Sequence, residues 1–598
     1  MIQSTPAVSR TCALLLCLAL IFFPLSCTAE ATRMNSASMQ SAMEDAILTT
    51  KAQSQSTAFT LPSEETTALL TRNLQKLCKV WGYVKYTHPA FLSGQKDWDA
   101  ELLALIESIS AVSSDEEANN ILYHWFIGLG KIDYDTDFYD KSWINATDDQ
   151  KIFLAETGWL ADTAYLGRRL SVVLSQLGEV PTVYRGKAPV YFGDFRINSV
   201  NSMFTNEKTY EDSSFADNRY RLLGLFRLWN VIEYYYPYRN ILDDDWNGML
   251  LELIPKMLEG TDKQSYQLTI AELAAKLHDA HVGFTDSGFL FDEFGQYAAP
   301  VSLIWAEGQL VIRDIYEECE LLPGDVLLEL DGRNIWDIVA GCKQYVSVTT
   351  DEKLMNALSI FLLRSHESEM VFTILRQNEE LTVTVLGVMS IFHSFPTATQ
   401  SHVLLEDNIG LINPFSVVSG DIPQIMDTFS DTCGLIVDWR QPPSSDMMYT
   451  LAEYLVDGRM PFCLYQYPSR VMPGAYIRNV TFYSGNGGKA PYDKPVVILM
   501  DEHTQSSAEF TVMSLRNGAN VIVMGNNSVG SDGDVTTLPL PCGNIFVFTG
   551  LGAFTPEGGQ TQRIGLSPDI FVEPTIAGIR EGRDELMEAA VQYILDHQ

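Results

Sequence analysis

PVVILMDEHTQSSAEFTVMSLRNG, residues 495–518, is the stretch from which the fold is read. PVVILMD (Pro495 to Asp501) is a short apolar run of the kind a strand buried on both faces requires. SSAEFTVMSLRNG follows as a helix that Gly518 stops. Four further runs look similar: IGLINP (Ile409 to Pro414), CGLIVDWR (Cys433 to Arg440), NVIVMG (Asn520 to Gly525) and NIFVFTG (Asn544 to Gly550). Apolar strands alternating with helices predict a parallel or mixed sheet covered by helices. GRDELMEAAVQYILDH near the end reads as a closing helix.

At the junction of strand and helix stand Thr504, Ser506 and Ser507. A serine there is a helix cap on the plain reading. The same place suits a nucleophile, because free N–H groups of the first helical turn can hold an oxyanion.

Upstream, residues 290–390 alternate short apolar runs with turns. In LLPGDVLLELDGRNI (Leu321 to Ile335), Pro-Gly makes a turn, VLLEL a strand and Asp331-Gly332 a hairpin turn. A helix near Asp351–Arg364 and the strand-like runs MVFTILR and LTVTVLG complete a pattern that resembles a PDZ-like module. Such modules bind extended peptide along a sheet edge.

Further upstream the chain repeats itself. LCKVWGYVKYTHP (Leu77 to Pro89) followed by DWDAELLALI matches LFRLWNVIEYYYP (Leu225 to Pro237) followed by DWNGMLLELI. Trp81 and Trp229, Tyr86 and Tyr234, Pro89 and Pro237, Asp97 and Asp245, and Trp98 and Trp246 are each 148 residues apart. Each copy predicts a helix, a proline stop and a second helix, with its aromatic residues in the core. The copies differ at their ends: only the second runs into KLHDAHVGF, with His278 and His281.

The first residues predict export. Arg10 is the only charge among the first 26, and Cys12 to Phe23 is an apolar run, as in a signal peptide. The exit Leu25-Ser26-Cys27 resembles a bacterial lipoprotein box, with a lipid on Cys27; ordinary cleavage near Ala29 or Ala31 is the alternative. The run is short for a membrane span. Cys78, Cys319, Cys342, Cys433, Cys463 and Cys542 are scattered and match no zinc pattern. With 598 residues, 46% of them hydrophobic, the chain has material for about three to five domains. A net charge of −36 repels phosphates and argues against a nucleic-acid partner.

The boundaries expected are a signal peptide at 1–27, a tether at 28–65, helical copies at 66–214 and 215–287, a PDZ-like domain at 288–395 and a catalytic domain at 396–598. A helical region, a PDZ-like module, then GLIVDWR, VVILMDEHTQSSAEF, VMGNNSVGSDG and GLSPDI resembles the serine peptidases of the C-terminal processing (tail-specific) and tricorn-core type. The resemblance covers about residues 215–598. It implies a multi-domain α/β protein with a crotonase/ClpP-like catalytic domain and a peptide or protein substrate; no cofactor or metal is expected. It places the nucleophile at Ser506 and one oxyanion donor at the Ser507 N–H.

Three departures stand out. Processing peptidases carry a lysine where this chain has Ser531, which excludes a Ser–Lys dyad. The tricorn-like members use a histidine from the helical region, and His281 stands in its place. Gln562 occupies the position of their glutamate; it can orient an imidazole but supplies no charge. A Gly-Gly loop is replaced by Pro442-Pro443-Ser444-Ser445, which leaves the Ser444 N–H as the expected second oxyanion donor, since proline has none. Of the other histidines, His88 is expected to pack and His503 to serve a local turn; His278 and His281 lack an evident third ligand for a metal. A catalytically silent protein that binds peptide or another ligand at the cell surface is the alternative function.

Overall fold

Two long helices, Glu64–Thr87 and Asn218–Tyr235, carry the matching aromatic runs, and each is followed by a second helix, Trp98–Ser110 and Trp246–Glu259. The computed structural model describes residues 64–598 apart from 135–140, 181–185, 193–199, 390–398, 445–446 and 486–490. The expected signal peptide, Cys27 and the tether as far as residue 63 lie outside the described residues.

The repeat is a repeat of structure. Trp81 Nε1 donates to the Trp98 carbonyl at 2.9 Å, and Trp229 Nε1 to the Trp246 carbonyl at 2.7 Å. Asp97 caps its helix by accepting from the Asp99 and Ala100 N–H groups, and Asp245 caps the equivalent helix through Asn247 N–H. Short polar side chains do this at helix starts because the first N–H groups have no partner within the helix. The paired tryptophans and tyrosines are buried in one core.

The long helices touch through equivalent positions. Gly82 and Asn230 match across the repeat, and a Cβ on Gly82 would stand 1.7 Å from Asn230 Oδ1. Asn230 Nδ2 donates to the Cys78 carbonyl at 3.1 Å, and Tyr86 meets Tyr234 edge to face at 5.8 Å. Contact between equivalent positions is what a two-fold relation produces. Nearby, four buried charges balance: Lys85 pairs with Glu207 at 2.5 Å, and Arg227 with Asp99 at 2.7 Å and Glu207 at 3.1 Å. Arg227 also donates to the Pro539 carbonyl at 2.8 Å, joining the helices to the C-terminal region.

Residues 301–386 form an antiparallel sheet in the order Glu379–Leu386, Glu369–Arg376, Val326–Leu330, Gln309–Ile315 and Val301–Ala306, with Arg333–Asn334 paired to Val326–Leu330. Asp331 and Gly332 turn the chain at φ 51° and 72°, as a hairpin of this hand requires. The helix Asp351–Leu362 lies where it is expected.

The C-terminal sheet has the order His402–Leu404, Ile409–Ile412, Gly434–Asp438, Val496–Met500, Val521–Gly525 and Ile570–Phe571. All neighbours are parallel except the first pair. Alternate residues of Val496–Met500 face opposite sides. Val496, Ile498 and Met500 pack with Leu451 and Val512; Val497 and Leu499 pack with Ala590 and Ile594 of the closing helix Glu585–Asp596.

One expected strand belongs elsewhere. Ile545–Thr549 is outside the parallel sheet; it pairs antiparallel with Val535–Pro539 and with Gly283–Phe284. Its Phe546 and Phe548 are buried against the helical core, so the run is as apolar as a central strand for a different reason. A hairpin, Met460–Pro468 with Ala475–Ser484, was not evident from its mixed sequence.

Gly82→Ala forces Asn230 to move and should destabilise the fold by about 1–3 kcal/mol, as overpacking does. Thermal melts of Gly82→Ala, Asn230→Ala and the double variant measure it; part of the loss should return in the double variant.

Candidate active site

The strand Val496–Met500 ends beside Thr504, which shapes the turn. Thr504 Oγ1 accepts the Asp501 N–H at 3.0 Å and donates to the Trp439 carbonyl at 3.1 Å. Ser506 then takes φ 58° and ψ −120°, and the helix Ser507–Leu515 begins. A non-glycine residue rarely holds such a backbone, and the strain persists only where surrounding bonds impose it.

Those bonds come chiefly from Glu509. Its carboxylate, buried one turn into the helix, accepts from the N–H groups of Ser506 at 3.1 Å, Gly530 at 2.8 Å and Ser531 at 3.1 Å, and from the Ser528 hydroxyl. Burial pushes its value above the ordinary carboxylate range, against the pull of these donors. The Ser506 N–H also lies 3.1 Å from the Ser531 carbonyl. Gly530 has φ 77°, and a Cβ there would stand 2.7 Å from the Gly565 nitrogen. The loop 528–531 is thus drawn tightly around the serine.

His281 reaches the same loop from far upstream. The helix Lys263–Ala275 ends, and Gly283–Phe284 pairs with Phe546 and Val547. Between them Asp279, fully buried, accepts the His281 N–H at 3.0 Å, the Ser531 hydroxyl at 2.6 Å and the Thr549 N–H at 3.2 Å. The His281 N–H also lies 3.2 Å from Ser531 Oγ. His281 and Ser506 therefore both bond to Ser531, one to its side chain and one to its carbonyl. Ser531 thus bridges segments.

His281 Nδ1 lies 2.8 Å from Thr549 Oγ1, and its Nε2 is buried without a partner among the described residues. Burial lowers the histidine below its ordinary value of 6.5, and the Asp279 charge opposes that only in part. The ring is therefore neutral at neutral pH, the state a base requires.

The remaining sequence-derived candidates are placed as follows. The Ser507 N–H, at the first turn of its helix, has no acceptor among the described residues. The Ser444 N–H does not match its expected role: it is already bonded to the Pro414 carbonyl at 3.1 Å, and Ser444 Oγ to the Val417 carbonyl at 2.6 Å. An N–H held in this way has no hydrogen left for an oxyanion. Gln562 is fully buried, and neither carboxamide atom has a hydrogen-bond partner among the described residues; it sits beside the Tyr236 phenol outside hydrogen-bonding geometry. His281 Nδ1 is held by Thr549, where Gln562 was expected.

His278 Nδ1 is 3.2 Å from the Val348 carbonyl, so the two histidines of the H-x-x-H element serve different neighbours. His88 Nδ1 accepts the Ala90 N–H at 3.1 Å, and burial lowers its value to about 4. Burial would also lower His503, but Asp501 and Glu502 outweigh it and push it up to about 9, which keeps it protonated and unsuited to accept a proton. Asp501, Glu502 and His503 are close enough to one another to share a cation; their own charges already balance in part through the His503–Asp501 contact at 3.4 Å. Sequence reasoning missed Asp279 and Thr549. Asp279 lay within the HDAHVGF element; Thr549 had no local signal.

Residues 409–572 match the model of peptidase family S41. Over 111 residues the chain is 28% identical to a carboxy-terminal-processing protease of Bartonella bacilliformis, a match covering 19% of this chain and 26% of that protein. The chain thus spans about a quarter of the length of the curated relative it matches. Solved structures of similar fold include a mutant of CPAF, with a TM-score of 0.50 at 17% identity over 64% of this chain and 98% of that one. The photosystem II D1 C-terminal processing protease aligns with a TM-score of 0.36 at 16% identity over 61% and 98% of the two chains. The strained serine at its strand-to-helix junction lies within residues 409–572, the stretch that matches the model of peptidase family S41.

Proposed function

We propose that the protein is an exported serine-type endopeptidase of the C-terminal processing kind, with peptides or proteins as substrates. Ser506 Oγ attacks the peptide carbonyl and His281 Nε2 takes its proton. The Ser507 N–H donates to the oxyanion, and His281 returns the proton to the leaving amine. The observation that carries this reading is the backbone of Ser506, φ 58° and ψ −120°, held by Glu509 and Ser531 at the first turn of a helix. A plain cap needs no such strain. The partnerless Nε2 of a neutral His281 supports the base.

The finer assignments belong to the same reading. The antiparallel sheet of residues 301–386 is a PDZ-like module that presents peptide ends, and the parallel sheet is crotonase/ClpP-like. Gln562 lines the site as an uncharged residue in the position of an acid. A second oxyanion donor requires Ser444 to release Pro414, or a different N–H group. That commitment of Ser444, with Gln562, favours one rival: a silent member that binds peptide without cutting it.

Ser506→Ala should abolish hydrolysis of an unstructured protein substrate. Folding should survive, since Glu509 grips the backbone N–H and a cap side chain is worth only about 0.5–2 kcal/mol. His281→Ala should cost about 100-fold or more. A wild type that neither cuts substrate nor reacts with a serine-directed fluorophosphonate would establish the silent reading.

The pH dependence follows from the lowered His281 value. Below it the ring is protonated and cannot act as base, so kcat/KM should rise with pH through a group beneath 6.5 and be flat at neutrality. A limb above 6.5 would remove His281 from the role.

Export and anchoring are tested together by fractionation. Cys27→Ala should shift the protein from membranes to a soluble exported fraction; equal membrane association of both forms would rule out the lipid.

A further inference from the structure

A histidine that takes a proton through Nε2 needs an acceptor for its Nδ1–H and a negative charge to favour the imidazolium. In this chain Gln562 stands where an acid is expected, and its carboxamide makes no hydrogen bond to the ring. Another pair of residues meets both needs. Thr549 Oγ1 lies 2.8 Å from His281 Nδ1. Thr549 is fully buried at the end of the strand Ile545–Thr549, which pairs with Gly283–Phe284 just after His281. Its N–H is held by Asp279 Oδ2 at 3.2 Å, while Asp279 Oδ1 holds the His281 N–H at 3.0 Å. One carboxylate therefore grips both ends of the hydroxyl–imidazole pair. The groups facing His281 are Asp279 on its own segment, Ser531 on the loop and Thr549 on the strand, and Asp279 is the charged one.

We propose that Thr549 is the positioning residue of His281 and that Asp279 supplies the charge that compensates its imidazolium. The work of one acid is divided between a hydroxyl that touches the ring and a carboxylate that touches the backbone on either side. The inference rests on His281 being the base of the proposed peptidase. At rest the ring carries its proton on Nδ1, donated to Thr549 Oγ1, and Nε2 is bare. When the Ser506 proton moves to Nε2, both nitrogens carry hydrogen, and the Thr549 oxygen remains the acceptor of Nδ1–H. The Nε2 proton then leaves with the amine, and the resting tautomer returns.

The test uses the full chain and the variants Thr549→Val, Thr549→Ser and Asp279→Asn, each checked by thermal melting. Thr549→Val keeps the shape and removes the acceptor. It should lower kcat by about tenfold or more, a part of what a general base contributes, with KM nearly unchanged. Thr549→Ser should restore most of the loss, which a purely packing role would not do. Asp279→Asn should move the acid limb of the pH profile further down, because the imidazolium loses its counter-charge. A Thr549→Val enzyme with wild-type kcat and pH limb would overturn the proposal, as would a serine variant no better than valine. A second measurement needs no activity: nitrogen-15 histidine spectra, with His281→Gln to assign the resonance. The resting wild type should show Nδ1–H, and Thr549→Val should perturb it. A proton on Nε2 at rest in an active enzyme would sink this inference alone. An inactive wild type with Nδ1–H held by Thr549 would instead sink the peptidase reading and leave the positioning intact.

Discussion

The carboxylate of Asp279 is the constraint on which the arrangement of the site rests. It accepts from His281, Ser531 and Thr549, three residues on three separate segments, and Asp279 itself is fully buried. A buried carboxylate with three donors is stable where an unpaired one is not, so the three segments come together or the charge is left unsatisfied. Glu509 does for the serine side what Asp279 does for the histidine side. The two carboxylates meet at Ser531, which gives its N–H to one and its hydroxyl to the other.

The helical repeat is the frame that delivers the histidine. Its two copies pack through Gly82 and Asn230, and their buried charges leave no net charge among Lys85, Arg227, Asp99 and Glu207. Burying four charges costs desolvation, and replacement by apolar residues is often tolerated in such places. What the quartet provides is direction: Arg227 Nη1 donates to the Lys208 and Pro539 carbonyls, and the second bond ties the helices to the strand Val535–Pro539. The neighbouring strand Ile545–Thr549 then meets Gly283–Phe284 in one register.

Much of this was legible in the sequence where a local pattern carried it. The strands Gly434–Asp438, Val496–Met500 and Val521–Gly525 are short apolar runs bounded by turns, and burial on both faces leaves that mark. The repeat was legible because tryptophan, proline and a capping aspartate recur together. Ile545–Thr549 was assigned to the wrong sheet, because burial on both faces looks alike whichever partner provides it. Thr549 escaped because its partner Asp279 is 270 residues away, and no spacing rule reaches that far. Ser444 was judged by what its neighbours lack; its N–H is spent on Pro414, a contact invisible in the loop's own composition.

The order of these segments along the chain has a temporal consequence. The strained serine and the histidine are both synthesised before Thr549, Gln562 and the strand Ile570–Phe571 that completes the sheet. A chain that has grown only as far as residue 548 has no acceptor for the His281 ring and no strand end for Asp279 to hold. The His281 ring and the carboxylate beside it therefore gain their last partner only when nearly all of the polypeptide has been made.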